Sequence, residues 1–189
     1  SANNTAQRSA PSKTLLSGAF PLEEADVLLV DGYNVIFSWE DLKELADICK
    51  ARNIKLILDL AINHTSHQNE WFLQFKQARI DGDTENPYYN YYSCATTAEK
   101  LNGIAYQKIG GVDCWYECNF SGDMPELNFD NPEVREETLN IAKYYLDLGV
   151  DGFRFDAVTS YYTGVSQSNA DFIRWFCNMC RAISPDCYI

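Results

Sequence analysis

The apolar residues of this chain follow two different periods. Val27 to Val30, Ile54 to Leu60 and Val150 to Phe155 form short, nearly unbroken apolar runs. Runs of that length read as strands buried on both faces. Between them the apolar positions recur at helical spacing. Glu40 to Arg52 puts Leu42, Leu45, Ala46 and Cys49 on one face, and Gln68 to Ala78 and Asn169 to Ile183 read as further helices. Another helix opens at Asn131-Pro132-Glu133 and runs to Leu148. Asn131 suits the cap, Pro132 the first helical position and Glu133 the positive end of the dipole. Gly149 is suited to stop it. Cys187 to Ile189 begins one more strand. Residues 1–20, rich in Ser, Ala, Asn and Thr, carry no period and read as disordered or linker. The Tyr-, Asn- and Gly-rich stretch within 65–130 is too long for an ordinary connection and predicts an inserted subdomain.

Strands alternating with helices predict an α/β fold on a parallel sheet. In such folds the chemistry sits at the C-terminal tips of the strands. Two runs end in chemically capable groups, one in Asp59, Asn63 and His64, the other in Arg154 and Asp156. A carboxylate buried there without a partner would cost several kcal/mol, on the order of 3–5. Arg154 and Asp156 point to the same side of their strand, and the cation favours the charged form of Asp156. From spacing alone this is equally a structural ion pair or a functional one. A lone histidine such as His64 is more often structural than functional.

Composition narrows the partners. The chain has 189 residues and a net charge of −12, which argues against binding nucleic acid through phosphates but leaves a neutral polar substrate open. Aromatic residues make up 14%, serving either core packing or the stacking of sugar faces. Seven cysteines is an odd number, which speaks against a closed disulfide framework. Cys177 and Cys180 fall inside a helix rather than at its start, and read as structural thiols rather than as a redox or zinc pair. A reducing compartment, hence the cytoplasm, fits this usage, with secretion left as the alternative. No run has the length of a membrane span, so no membrane partner is expected.

Three segments carry a resemblance. Asp59-x-x-x-Asn63-His64, Met124-Pro-Glu-Leu-Asn128 and Gly152-Phe-Arg154-Phe-Asp156-Ala resemble, in order and spacing, signature segments of the α-amylase superfamily, glycoside hydrolase family 13. The family form of the middle segment is Met-Pro-Asp-Leu-Asn. The resemblance runs from about Glu40 to Ile189 and implies a partial (β/α)₈ TIM barrel, about strands two to five, with an inserted subdomain after the third strand. On this basis residues 1–20 are linker, 21–64 the first part of the barrel, 65–130 the subdomain, and 131–189 the barrel's continuation into its fifth strand. A whole barrel takes about 250 residues.

The resemblance also implies roles. Asp156 is the nucleophile of retaining hydrolysis of α-glucosidic bonds in starch or maltooligosaccharides, with Arg154 beside it. His64 binds the sugar at the cleavage point, and Asp59 supports the site by pairing with Arg154. Asn63 is implied as a ligand of a structural Ca²⁺, to which Asp113, Glu117 and Asp123 could add oxygens. Glu126 and Asn128 seat the excursion. No organic cofactor is implied. Thr159 and Ser160 stand where many amylases carry Lys-His, which puts the leaving-group preference in question. The family's general acid falls beyond Ile189, so these 189 residues are expected to have little activity alone. An α-glucosidase or transglycosidase and a non-catalytic carbohydrate-binding relative are the alternatives. Separately, Leu28 to Trp39 resembles the opening of NYN-type, PIN-like nuclease domains, which would make Asp31, with Asn34 beside it, part of a metal site.

Overall fold

The structure is a computed structural model that describes residues 27–31 and 39–189, with side chains for 27–30 and 42–189. The expected linker over 1–20 and the 32–38 part of the nuclease-like stretch, Asn34 included, lie outside the described residues.

Three parallel strands build the first layer. β1 is Val27–Asp31, β2 Lys55–Leu60 and β6 Gly152–Phe155, in the order β1-β2-β6. Parallel neighbours need a crossover. Helix α1, Trp39–Ala51, supplies the first of them. The excursion together with α3, Pro132–Leu148, supplies the second. Helix α4, Ser166–Ile183, returns the chain beyond β6, where Tyr188 forms a parallel bridge with Gly152. The result is an open arc of barrel. β1 pairs with β2 residue by residue from Val27↔Lys55 to Asp31↔Asp59, so the Leu28–Asp31 part of the segment that resembled a nuclease opening lies in the same sheet as the amylase-like strands.

β2 is the centre of the arc. Leu56 and Leu58 are fully buried on one face, and Ile57 is buried on the other. Asp151 pins the start of β2: its Oδ1 accepts from Lys55 Nζ at 2.8 Å and its Oδ2 from the Leu56 N–H at 2.9 Å. Each helix turns one stripe inward. α1 buries Leu42, Ala46 and Cys49; α3 buries Val134, Thr138, Ala142 and Tyr145; α4 buries Phe172, Phe176 and Cys180. α3 starts where the sequence predicts: the Asn131 side chain accepts from the Glu133 N–H at 2.9 Å, and Pro132 follows. It ends on Gly149 at φ 105°, a left-handed conformation that suits glycine. Gly152 has a different reason to be glycine. A Cβ there would lie 1.9 Å from the carbonyl oxygen of Tyr188.

The excursion begins with α2, Glu70–Asp81, and contains a small antiparallel sheet in the order β3-β5-β4. Its strands are Cys94–Ala95 (β3), Tyr106–Lys108 (β4) and Trp115–Glu117 (β5). Phe72 of α2 meets Tyr92 and Tyr116 edge-on at 5.1 and 5.0 Å, which ties helix to sheet. The Met124–Asn128 strip laces the excursion to the barrel. On one side Leu127 N–H donates to the Asn63 carbonyl at 2.9 Å. On the other, Ser93 N–H donates to the Glu126 carbonyl at 3.0 Å and Asn128 N–H to the Tyr91 carbonyl at 2.8 Å.

Candidate active site

Register brings the site together. β2 and β6 are neighbours, and Asp59 stands opposite Arg154. The Arg154 guanidinium is shared between two carboxylates. Nη1 donates to Asp59 Oδ2, and Nη2 to Asp156 Oδ1 at 3.3 Å. The two acids differ in exposure: the Asp59 side chain is 21% accessible and that of Asp156 57%. Asp59, and after it Asp156, raises the pKa of Arg154 further above its usual value. Asp59 Oδ1 is buried and makes no hydrogen bond. Tyr161, buried behind the tip, donates its hydroxyl to the Asp156 carbonyl at 3.1 Å. Directly after Asp156 the backbone turns through Ala157 at φ 52°, in the left-handed region, and the Ser160 N–H closes the turn on the Ala157 carbonyl at 2.8 Å. A non-glycine residue held there stores strain of roughly 1–2 kcal/mol. Thr159 and Ser160 lie on this same turn, where the Thr159 carbonyl accepts from Asn169 Nδ2 at 3.2 Å.

His64 leaves β2 half-buried. Burial lowers its pKa, and the charge of Asp156 opposes that shift. Its Nδ1 lies 3.1 Å from Asn63 Oδ1. Asn63, 1% exposed, sends its amide N–H to Glu126 Oε2 at 3.1 Å. Glu126 is equally buried; loss of hydration pushes its pKa up to about 8, against the hydrogen bond from Asn63. Hydrogen bonds from the Asn119 backbone and side chain oppose the shift as well. The structure therefore gathers Asp59, Arg154, Asp156 and His64 at one rim, with Asn63 behind His64.

The oxygens that the resemblance offered to a calcium ion are engaged apart from one another. Glu117 Oε1 accepts from the Asn102 and Gly103 N–H groups at 3.1 and 3.0 Å. Asp113 pairs with Lys108 at 3.0 Å, and Asp123 lies 3.1 Å from His67 Nδ1. Calcium takes six to eight oxygens. Asn63 Oδ1 itself faces His64 Nδ1 at 3.1 Å. Among the described residues no group of three or more His, Cys, Asp or Glu is arranged to hold a metal ion.

Sequence reading missed Phe120. Its ring is 55% exposed and sits 5.9 Å from the His64 ring, tilted by 40°. The available signal was a single large apolar residue between Asn119 and Ser121-Gly122, where packing gives no reason for one. A separate polar cavity of ≈ 130 Å³, lined in part by Glu117, Asn128 and Asp130, reaches Tyr161 but includes none of the rim residues.

Comparison with known proteins gives the family and the fold. A family model described as alpha amylase, catalytic domain, matches residues 37–179. The chain is 39% identical over 151 residues to Alpha-amylase 3 of Dictyoglomus thermophilum, covering 79% of this chain and 28% of that protein. It is 33% identical over 134 residues to the oligo-1,6-glucosidase of Bacillus cereus, covering 66% of this chain and 23% of the relative. The solved structure of Eubacterium rectale Amy13B superposes with a TM-score of 0.71 at 33% identity, over 79% of this chain and 29% of that one. The chain thus spans less than a third of the length of these relatives. Among the described residues no helix is long and apolar enough to cross a membrane.

Proposed function

This chain belongs to the alpha-amylase catalytic-domain family, and from that premise we propose that it carries the nucleophile side of a retaining site for α-glucosidic bonds in starch or maltooligosaccharides. One observation supports this above the others. Arg154 holds an exposed carboxylate, Asp156, at the tip of a parallel sheet, with its other hand on the more buried Asp59.

Retaining cleavage passes through an oxocarbenium-like state. Asp156 attacks the anomeric carbon, the bond to the leaving oxygen breaks, and a glycosyl ester remains until water or another hydroxyl displaces it. The guanidinium keeps Asp156 Oδ1 turned to one side. Asp59 anchors the guanidinium, so its role is to position rather than to react. His64 contacts a sugar hydroxyl, and the exposed Phe120 ring offers an apolar face to the sugar. The acid that protonates the leaving oxygen is not among the carboxyl groups at this rim, since Asp59 is committed to Arg154. Hydrolysis by these 189 residues alone is accordingly slower by the about 10²–10⁴-fold that a general acid contributes.

An activated substrate removes that handicap. Fluoride leaves without needing a proton, so an α-glucosyl fluoride carrying a second, ring-deactivating fluorine tests the nucleophile by itself. The expected result is a covalent glucosyl adduct on the peptide that contains Asp156, seen by intact mass and peptide mapping, and none in Asp156→Asn. An adduct on another carboxylate, or no adduct from folded protein, refutes the assignment.

A further inference from the structure

Behind the rim, three buried or half-buried side chains form a chain of hydrogen bonds with a fixed direction. Glu126 Oε2 accepts from Asn63 Nδ2 at 3.1 Å, and Asn63 Oδ1 lies 3.1 Å from His64 Nδ1. The backbone holds these groups in place. His64 and Glu126 form an antiparallel bridge, and Leu127 N–H donates to the Asn63 carbonyl at 2.9 Å. A carboxamide has one donating and one accepting end. With its nitrogen turned to Glu126, Asn63 presents its oxygen to the imidazole. The contact is then a hydrogen bond only if Nδ1 carries the proton. A neutral imidazole has one N–H, so Nε2 is left as an acceptor.

We propose that Glu126 is a positioning residue which, through Asn63, holds His64 in the Nδ1–H tautomer and so makes Nε2 an acceptor for a substrate hydroxyl. The proposal deepens the reading of His64 as a sugar contact and rests on it. It also bears on Asn63. The family segment has Asp where this chain has Glu126, and the longer side chain reaches the amide directly. A cation shared by the two residues would need two oxygens facing each other; here a nitrogen faces an oxygen. The direct hydrogen bond thus stands where the resemblance implies Ca²⁺.

The chain has only two histidines, so long-range ¹H–¹⁵N correlation spectra of the ¹⁵N-labelled protein resolve both rings. At a pH where the imidazoles are neutral, His64 is expected to show a protonated Nδ1 and a bare Nε2. Calcium chloride or a chelator should leave that pattern unmoved. Glu126→Gln retains an acceptor for Asn63 and should retain the pattern. Glu126→Leu should give a mixture of both tautomers, and Glu126→Asp a partial mixture. Should the Leu variant not fold, the wild type and the Asp variant decide. A wild-type His64 protonated on Nε2, an unchanged tautomer in folded Glu126→Leu or Glu126→Asp, or a His64 shift on adding calcium would each overturn the proposal. None of these readouts needs turnover, so failure here leaves the Asp156 adduct experiment untouched, and the reverse also holds.

Discussion

Asp156 and Glu126 act on the same imidazole from opposite physical conditions. Asp156 is more than half exposed, and its charge bears on His64 directly. Glu126 is 1% exposed and reaches His64 only through an amide. The first faces water and the Arg154 guanidinium. Burial drives the second towards its neutral form, with a pKa of about 8. The difference separates two tasks that one strand end must meet. A group that reacts needs open space and an anchored counter-ion that aims it. A group that sets geometry needs burial and a neutral partner, because in a low dielectric a hydrogen bond is stiff and a misplaced one is costly.

Substitutions break that comparison unequally. The largest effect belongs to Asp156→Asn, which keeps the shape and removes the nucleophile; intact mass should show complete loss of the glucosyl adduct. Next is Arg154→Leu. It leaves Asp59 and Asp156 without their shared cation and frees the Asp156 side chain to turn, and the adduct should form about 10²-fold more slowly by stopped-time mass spectrometry. Gly152→Ala comes third. Its new methyl meets the Tyr188 backbone 1.9 Å away, so β6 must shift, with a loss of about 1–3 kcal/mol in urea unfolding. A fall in adduct rate alongside would show that the register of β6 aims Arg154. The smallest is Asn131→Ala, which removes only a helix cap and should cost about 1 kcal/mol with the adduct rate and the His64 tautomer unchanged.

Much of the arc was legible because its signals are local. The runs ending at Leu60 and Phe155 are strands, and Asn131, Pro132 and Gly149 bound α3 as read. Side-chain direction also followed from spacing, since Arg154 does reach Asp156. Other features depend on contacts that no local pattern carries. The run at Val27 to Val30 resembles the β2 run, yet Val27 and Leu29 are about half exposed, 50% and 53%, because coverage depends on neighbours rather than on the residues themselves. The last helix was placed from Asn169 but starts at Ser166, with Val165 before it and no side-chain cap. Asn169 lies inside the helix and is buried. Its Oδ1 accepts from the Tyr162 N–H, and its Nδ2 donates to the carbonyls of Thr159, Tyr162 and Val165, so it braces the preceding loop. The β3, β4 and β5 strands are two or three residues long, too short to show a period. The Glu126–Asn63–His64 series joins residues 63 positions apart and appears only once the excursion folds back.

The bend at Ala157 limits which sequences this rim can visit. A β-branched side chain is strongly disfavoured in that conformation, so a single step to valine or threonine adds strain beside the preceding carboxylate, while a step to glycine relieves the strain and loosens the unfolded chain. The short methyl of alanine thus sits between two opposed costs, steric on one side and entropic on the other.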